Sequence, residues 1–237
     1  MLIDGIEIRP THDGWPFSIP AIRDIAAHGL ALRSNIVVLM GANGSGKSTL
    51  LEAVAEAYGI DVRGGHGGRQ YGSPLEKGQL SRVMRLSRTA IGNRFLRRKA
   101  MGFFLRAETA AGMLQFMTEH GLPGYGDRLA NQVSHGESYL QAIQGRFTGP
   151  GLYLLDEAEG PLSFRSTLML MYLLQDLAEA DDVQIVYSTH SPLIAAIPGA
   201  QIVELTDDGV ADRDWDDLEL VKLWRTFLNH PDTFFDD

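Results

Sequence analysis

The stretch Ile36-Val37-Val38-Leu39-Met40-Gly41-Ala42-Asn43-Gly44-Ser45-Gly46-Lys47-Ser48-Thr49-Leu50-Leu51 decides the fold. Its first five residues form a β-branched apolar run, the pattern of a strand buried on both faces. The run enters Gly41 to Thr49, where the spacing is Gly-x(4)-Gly-Lys-Ser, and Thr49 to Tyr58 then reads as a helix. Strand, glycine loop and helix in that order are the setting a phosphate-binding loop needs. Glycines permit backbone angles that turn several N–H groups toward one point. The helix behind them adds about half a positive charge at its N-terminus. Lys47 is expected to reach the β- and γ-phosphates, and the Ser48 hydroxyl to bind Mg²⁺. At average composition such a spacing arises by chance in roughly one chain of this length in a hundred, and the flanking strand and helix lower that further. The competing reading is a glycine-rich turn with a solvated lysine.

Working outward, Leu152 to Leu155 is a second buried strand that ends at Asp156-Glu157, and Gln184 to Ser188 a third that ends at Thr189-His190. Ile202 to Leu205 is a fourth, Gly102 to Arg106 reads as another, and Ser166 to Glu179 as a helix. Alternating strands and helices predict an α/β chain with a mostly parallel sheet flanked by helices. Leu2 to Ile8 alternates apolar and polar residues and reads as an edge strand of a short antiparallel N-terminal portion. Thr109 to His120 reads as a helix, and Ser134-His135-Gly136-Glu137 has capping-box spacing for a helix running to about Phe147. The expected organisation is one domain over 1–237, with a basic glycine-rich insertion at about 62–100 and a short helical lobe at about 108–147.

The carboxyl ends of parallel strands line the ligand crevice. Asp156 and Glu157 should therefore face the phosphate loop, Asp156 holding Mg²⁺ and Glu157 orienting the attacking water. A lone histidine is more often structural than functional. His190, at the end of a strand and 33 residues after Glu157, is nevertheless expected to reach the γ-phosphate or that water. His66 and His135 have no comparable setting, and no metal role is expected of them.

No run of 18 apolar residues is present, and Met1 to Gly5 lacks the pattern of a secretory leader, so a cytoplasmic chain without membrane insertion is expected. The absence of cysteine excludes disulfides and thiolate metal sites. The net charge of −9 hides an asymmetry. Residues 62–106 hold eleven of the 21 lysines and arginines against the single acid Glu76, which makes that segment +10 and the remainder −19. Such a block can attract a polyanion, either nucleic acid or an acidic partner protein. It can equally be a solvated insertion that pairs with the acidic remainder.

The order of phosphate loop, Ser134-His135-Gly136-Glu137-Ser138, Leu152 to Glu157 and Ser188-Thr189-His190-Ser191-Pro192 resembles an ABC-type ATPase from about residue 30 to 205. In finer detail, Gly102 to Glu108, Ser134 to Ser138 and Gly151 to Glu157 resemble small standalone bacterial ATPases of the AAA/ABC class. Those are related to chromosome-maintenance and recombination ATPases. The resemblance implies ATP with Mg²⁺ as the ligand, and the lack of an Asn-Lys-x-Asp guanine motif agrees. It implies hydrolysis through an ATP-dependent homodimer in which Ser134 and Gly136 of one copy meet the γ-phosphate held by the other. It also implies a glutamine-loop position, for which Glu108 is the nearest match. An aromatic residue stacked on adenine is implied too; Trp15 and Phe17 are the candidates, with packing of their own loop as the alternative. The signature departs from the family at Val133 and His135. Gly160-Pro161 also makes the loop after Glu157 unusual. A transporter's ATP-binding subunit is an alternative, weakened by the 25 residues between Glu108 and Ser134, about half the usual lobe. A nucleotide-dependent binding module with negligible hydrolysis is another.

Overall fold

The computed structural model describes residues 1–62, 65–66, 78–95, 101–106 and 135–235. Two sheets organise them. The larger has seven strands in the order β10-β9-β3-β8-β7-β6-β4. These are β3 (Ile36–Gly41), β4 (Gly65–His66), β6 (Gly102–Arg106), β7 (Gly151–Asp156), β8 (Val183–Ser188), β9 (Gln201–Thr206) and β10 (Gly209–Arg213). The central five are mutually parallel, while β10 and β4 close the two ends antiparallel. Strands β7 and β8 are buried at every position, as their largely apolar sequences require.

One register row crosses the sheet and sets up the crevice. Leu39 pairs with Ser188, Ser188 with Asp156, and Asp156 with Arg106. Side chains just beyond that row, on three strands, therefore emerge at one level. Helix α2 (Lys47–Tyr58) lies over one face of the sheet, its Leu50, Leu51, Val54 and Ala55 buried with Leu39, Phe104, Leu154 and Val186. The other face is covered by α5 (His135–Arg146), α6 (Phe164–Ala178) and α8 (Glu219–Asn229), which bury Tyr139, Ile143, Leu170, Leu174 and Val221 against Val38, Tyr153, Leu155 and Ile185. At about 25 cal/mol per Å² of apolar surface, these two layers supply the bulk of the folding energy.

The second sheet is antiparallel, in the order β2-β1-β5, with β1 (Ile3–Ile8), β2 (Leu30–Ala31) and β5 (Met84–Arg88). Two readings change here. The first strand is the middle of its sheet, not an edge, because Arg85 to Arg88 pairs along it. Leu80 to Arg98, whose basic sequence suits one or two amphipathic helices, contains that strand between α3 (Gln79–Val83) and α4 (Ala90–Phe95). Pairing with β1 outweighs local helix propensity there. Helix α1 (Pro20–His28), with proline in its first turn, packs Ala21, Ile22 and Ile25 into the same core.

Gln184, fully buried on β8, joins the two sheets. Its Oε1 accepts from the Leu2 and Ile3 amides at 2.9 and 2.8 Å, and its Nε2 donates to the Ile3 carbonyl at 2.9 Å. Gln184→Leu would leave three backbone groups without partners in the core. Each such group costs about 1–3 kcal/mol, so the variant should lose about 3 kcal/mol or more, read as a lower urea midpoint at unchanged slope. An unchanged midpoint would show that water replaces the amide.

Candidate functional site

The phosphate loop keeps its shape because two of its glycines admit no side chain. Gly46 caps α2 at φ +99°, and a Cβ on it would lie 2.9 Å from Ile19 Cγ2. Gly41 has φ +148°, and a Cβ there would stand 2.4 Å from the Leu205 carbonyl oxygen. Any larger residue at either position would displace the loop or its neighbours.

Lys47 is the first residue of α2 and is buried. Its Nζ donates to the carbonyls of Gly41 at 2.8 Å and Ala42 at 3.0 Å. It also lies 2.9 Å from Nε2 of His190. Two cations cannot share that distance, so Nε2 is the neutral acceptor and the imidazole proton sits on Nδ1. The electrostatics agree. Burial and then the Lys47 charge hold the His190 pKa below its ordinary value, against the pull of Glu157 and Asp156. Burial likewise lowers the Lys47 pKa, opposed by Glu157 and Asp156.

Asp156 ends β7 and is largely buried. The Ser48 hydroxyl donates to its Oδ1 at 3.0 Å. Glu157, the next residue, has its backbone in the left-handed region at φ +50°. Its amide donates to the Ser188 carbonyl at 2.9 Å, and its Oε1 lies 3.4 Å from His190 Nε2. The half-exposed Glu157 carboxylate thus stands at the mouth of the crevice, with Asp156 behind it.

Lys47, Ser48, Asp156, Glu157 and His190 are therefore brought together at one end of the sheet, as their places at strand ends imply. Gly136 lies in the first turn of α5. Ser134 and Glu108 fall outside the described residues. Phe17 is buried in the core beneath α1, and its ring meets that of His12 edge-on at 4.8 Å. Packing of the loop is thus its role, whereas Trp15 is exposed.

A half-buried ion pair behind the site escaped the sequence reading. Arg106, at the end of β6, bonds Glu52 on α2 at 2.7 Å, and its Nε lies 3.9 Å from Asp156 Oδ2. Burial raises the Glu52 pKa, and Arg106 opposes the rise. Glu52 is four residues after Ser48, one helical turn, and Arg106 shares a register row with Asp156. Those two placements were the available signal.

A family model described as ABC transporter matches residues 31–160. The aliphatic sulfonates import ATP-binding protein SsuB 2 of Nocardia farcinica is 31% identical over 180 residues, covering 76% of this chain and 72% of that one. The ribose import ATP-binding protein RbsA 1 of Burkholderia cenocepacia is 30% identical over 209 residues, covering 80% of this chain, which spans only 39% of that relative's length. Among solved structures, cbiO1 from Clostridium perfringens, part of the ABC transporter complex cbiONQ, superposes with a TM-score of 0.50 at 16% identity, covering 86% of this chain and 88% of that one. That last likeness concerns the fold. With the family model covering more than half of the sequence and the phosphate loop inside the matched span, the chain belongs to the ABC transporter family as an ABC-type P-loop ATPase domain.

Proposed function

We propose that this chain hydrolyses ATP to ADP and phosphate with Mg²⁺, as the ATP-binding subunit of a membrane importer. The observation that carries the hydrolytic reading is the convergence at one end of the sheet of two side-chain groups, Lys47 with His190 and Glu157, and Ser48 with Asp156. Lys47 and the loop amides hold the phosphates. Ser48 and Asp156 form an all-oxygen hydroxyl and carboxylate pair, the donor set that Mg²⁺ prefers. When bound, the ion neutralises charge on the β- and γ-phosphates. Glu157 accepts a proton from the attacking water and aligns it, while His190, moving from Lys47, donates its hydrogen bond to the γ-phosphate. The turnover unit is a homodimer enclosing two ATP molecules, with Ser134 and Gly136 acting on the partner's nucleotide; the placement of Gly136 at a helix N-terminus supports this.

The importer reading is supported by the relatives, which are import ATP-binding proteins by name. None of the helices among the described residues is long and apolar enough to cross a membrane. The chain would then work on the cytoplasmic side of a separate membrane component. Phosphate release measured with Mg²⁺ and with EDTA tests the chemistry; no Mg²⁺-dependent turnover would reject hydrolysis. Recovery of the chain in host membranes, removable by alkaline wash, tests the importer role, and its absence there would reject that role.

A second reading rests on the charge segregation. The described part of the basic block places Arg82, Arg85, Arg88 and Arg94 on and around β5, at the edge of the antiparallel sheet. If about four to six of the eleven cations engage duplex DNA, the log–log salt slope should be near −4 to −5. Reversal of Arg94, Arg97, Arg98 and Lys99 to Glu should flatten it. Equal, weak binding by both proteins at low salt would remove nucleic acid as a partner.

A further inference from the structure

Three residues past Asp156, the side chain of Glu159 turns back into the protein. The loop doubles over itself there: the Gly160 amide donates to the Glu157 carbonyl at 3.0 Å, and the Leu162 amide to the Glu159 carbonyl at 2.8 Å. Both carboxylate oxygens are used. Oε2 accepts from the Tyr187 hydroxyl at 2.7 Å, and Oε1 accepts from the Thr189 hydroxyl. Tyr187 and Thr189 are both fully buried. A third hydroxyl, that of the fully buried Tyr139 on α5, has no hydrogen-bond partner among the described residues; burial, and then the Glu159 charge, push its pKa up. Glu159 makes no ion pair among the described residues. Burial raises its own pKa, and the two hydroxyl donors oppose that rise. Glu159 is part-buried, and drawing a carboxylate even partly out of water without a cation is costly. That expense needs a reason.

The reason lies one residue further on. The Thr189 hydroxyl, while donating to Glu159, also accepts from the Ser191 amide at 2.8 Å, so it clamps the backbone on both sides of His190. The Thr189 amide donates to the Leu39 carbonyl at 3.1 Å, which fixes the same turn to the strand entering the phosphate loop. Glu159 is thus tied by its backbone to the loop of Glu157 and by its side chain to the turn of His190. We propose that Glu159 is a positioning residue for hydrolysis: through Thr189 it presents His190 to Lys47 and Glu157, and it makes the Glu157 loop and the His190 turn move as one. This rests on the reading of Glu157 and His190 given above.

The test compares Glu159→Gln, Thr189→Val, their double variant and Thr189→Ser with the wild type. ATP affinity should stay within about threefold, since the phosphate loop is untouched, while kcat falls about tenfold or more in Glu159→Gln and Thr189→Val. The double variant should be no slower than the worse single, because both cut one connection. Thr189→Ser, which keeps the hydroxyl, should restore turnover. The His190 imidazole, titrated by NMR without nucleotide, should move from its lowered pKa toward the ordinary value in Glu159→Gln and Thr189→Val only. Unchanged kcat with a lowered melting temperature would reduce Glu159 to a structural role and overturn the proposal, as would Thr189→Ser behaving like Thr189→Val. If Glu157→Gln retained wild-type turnover, the role given to Glu157 would fall by itself; the His190 titration would still decide whether Glu159 sets that histidine. Should Glu159→Gln fail to fold, Tyr187→Phe, which leaves the Thr189 bond in place, should keep kcat within about threefold. A large loss there would overturn the assignment to Thr189.

Discussion

Lys47→Ala is expected to abolish measurable ATP binding. The Nζ is held by the Gly41 and Ala42 carbonyls and faces His190, so its charge is positioned before nucleotide arrives. Little ordering of the side chain remains to be done on binding. Losing one member of a desolvated charge pair costs about 2–5 kcal/mol, which is roughly 30- to 5,000-fold in affinity. The effect should fall at the upper end, because the alanine variant also leaves two loop carbonyls and His190 without their donor. Titration with a fluorescent ATP analogue measures it. Near-wild-type affinity would remove the phosphate-loop assignment.

Glu157→Gln should separate binding from chemistry. The amide fills the same space beside His190 but cannot take a proton from water. Binding should be retained, while turnover falls by about 10² to 10⁴, the range for loss of a general base. ATP should then accumulate in the closed state, and light scattering should report a dimer at saturating nucleotide. Undiminished phosphate release would show that another group positions the water. A monomer at saturating ATP would count against the enclosed-nucleotide dimer.

The site was legible in the sequence wherever a residue type and a strand end coincide. Asp156, Glu157 and His190 each follow an apolar strand, and Lys47 follows the glycine loop that such a strand enters; at the carboxyl end of a parallel sheet those positions direct them to one crevice. The parallel core was legible for the same reason, since β3, β7 and β8 are short, largely apolar runs. Long-range partnerships were not. Gln184 sits inside an apolar run and looks like an interruption until β1 supplies its three backbone partners. Arg106 and Glu52 are 54 positions apart, and Glu159 and Thr189 are 30 apart; no local periodicity announces either pair. The strand of Met84 to Arg88 was hidden by its arginines, which suit a helix face equally well until β1 lies alongside.

The backbone of Glu157 carries one more consequence. An L-residue in the left-handed region is strained by about 1 kcal/mol relative to glycine, yet here it is a glutamate with φ +50°. A protein selected purely for heat resistance would place glycine or asparagine at this corner and gain stability from the exchange. Thermal robustness and turnover therefore pull in opposite directions at this residue. Any programme that ranks variants of this chain by melting temperature alone would discard the glutamate to which the proposed chemistry assigns the attacking water.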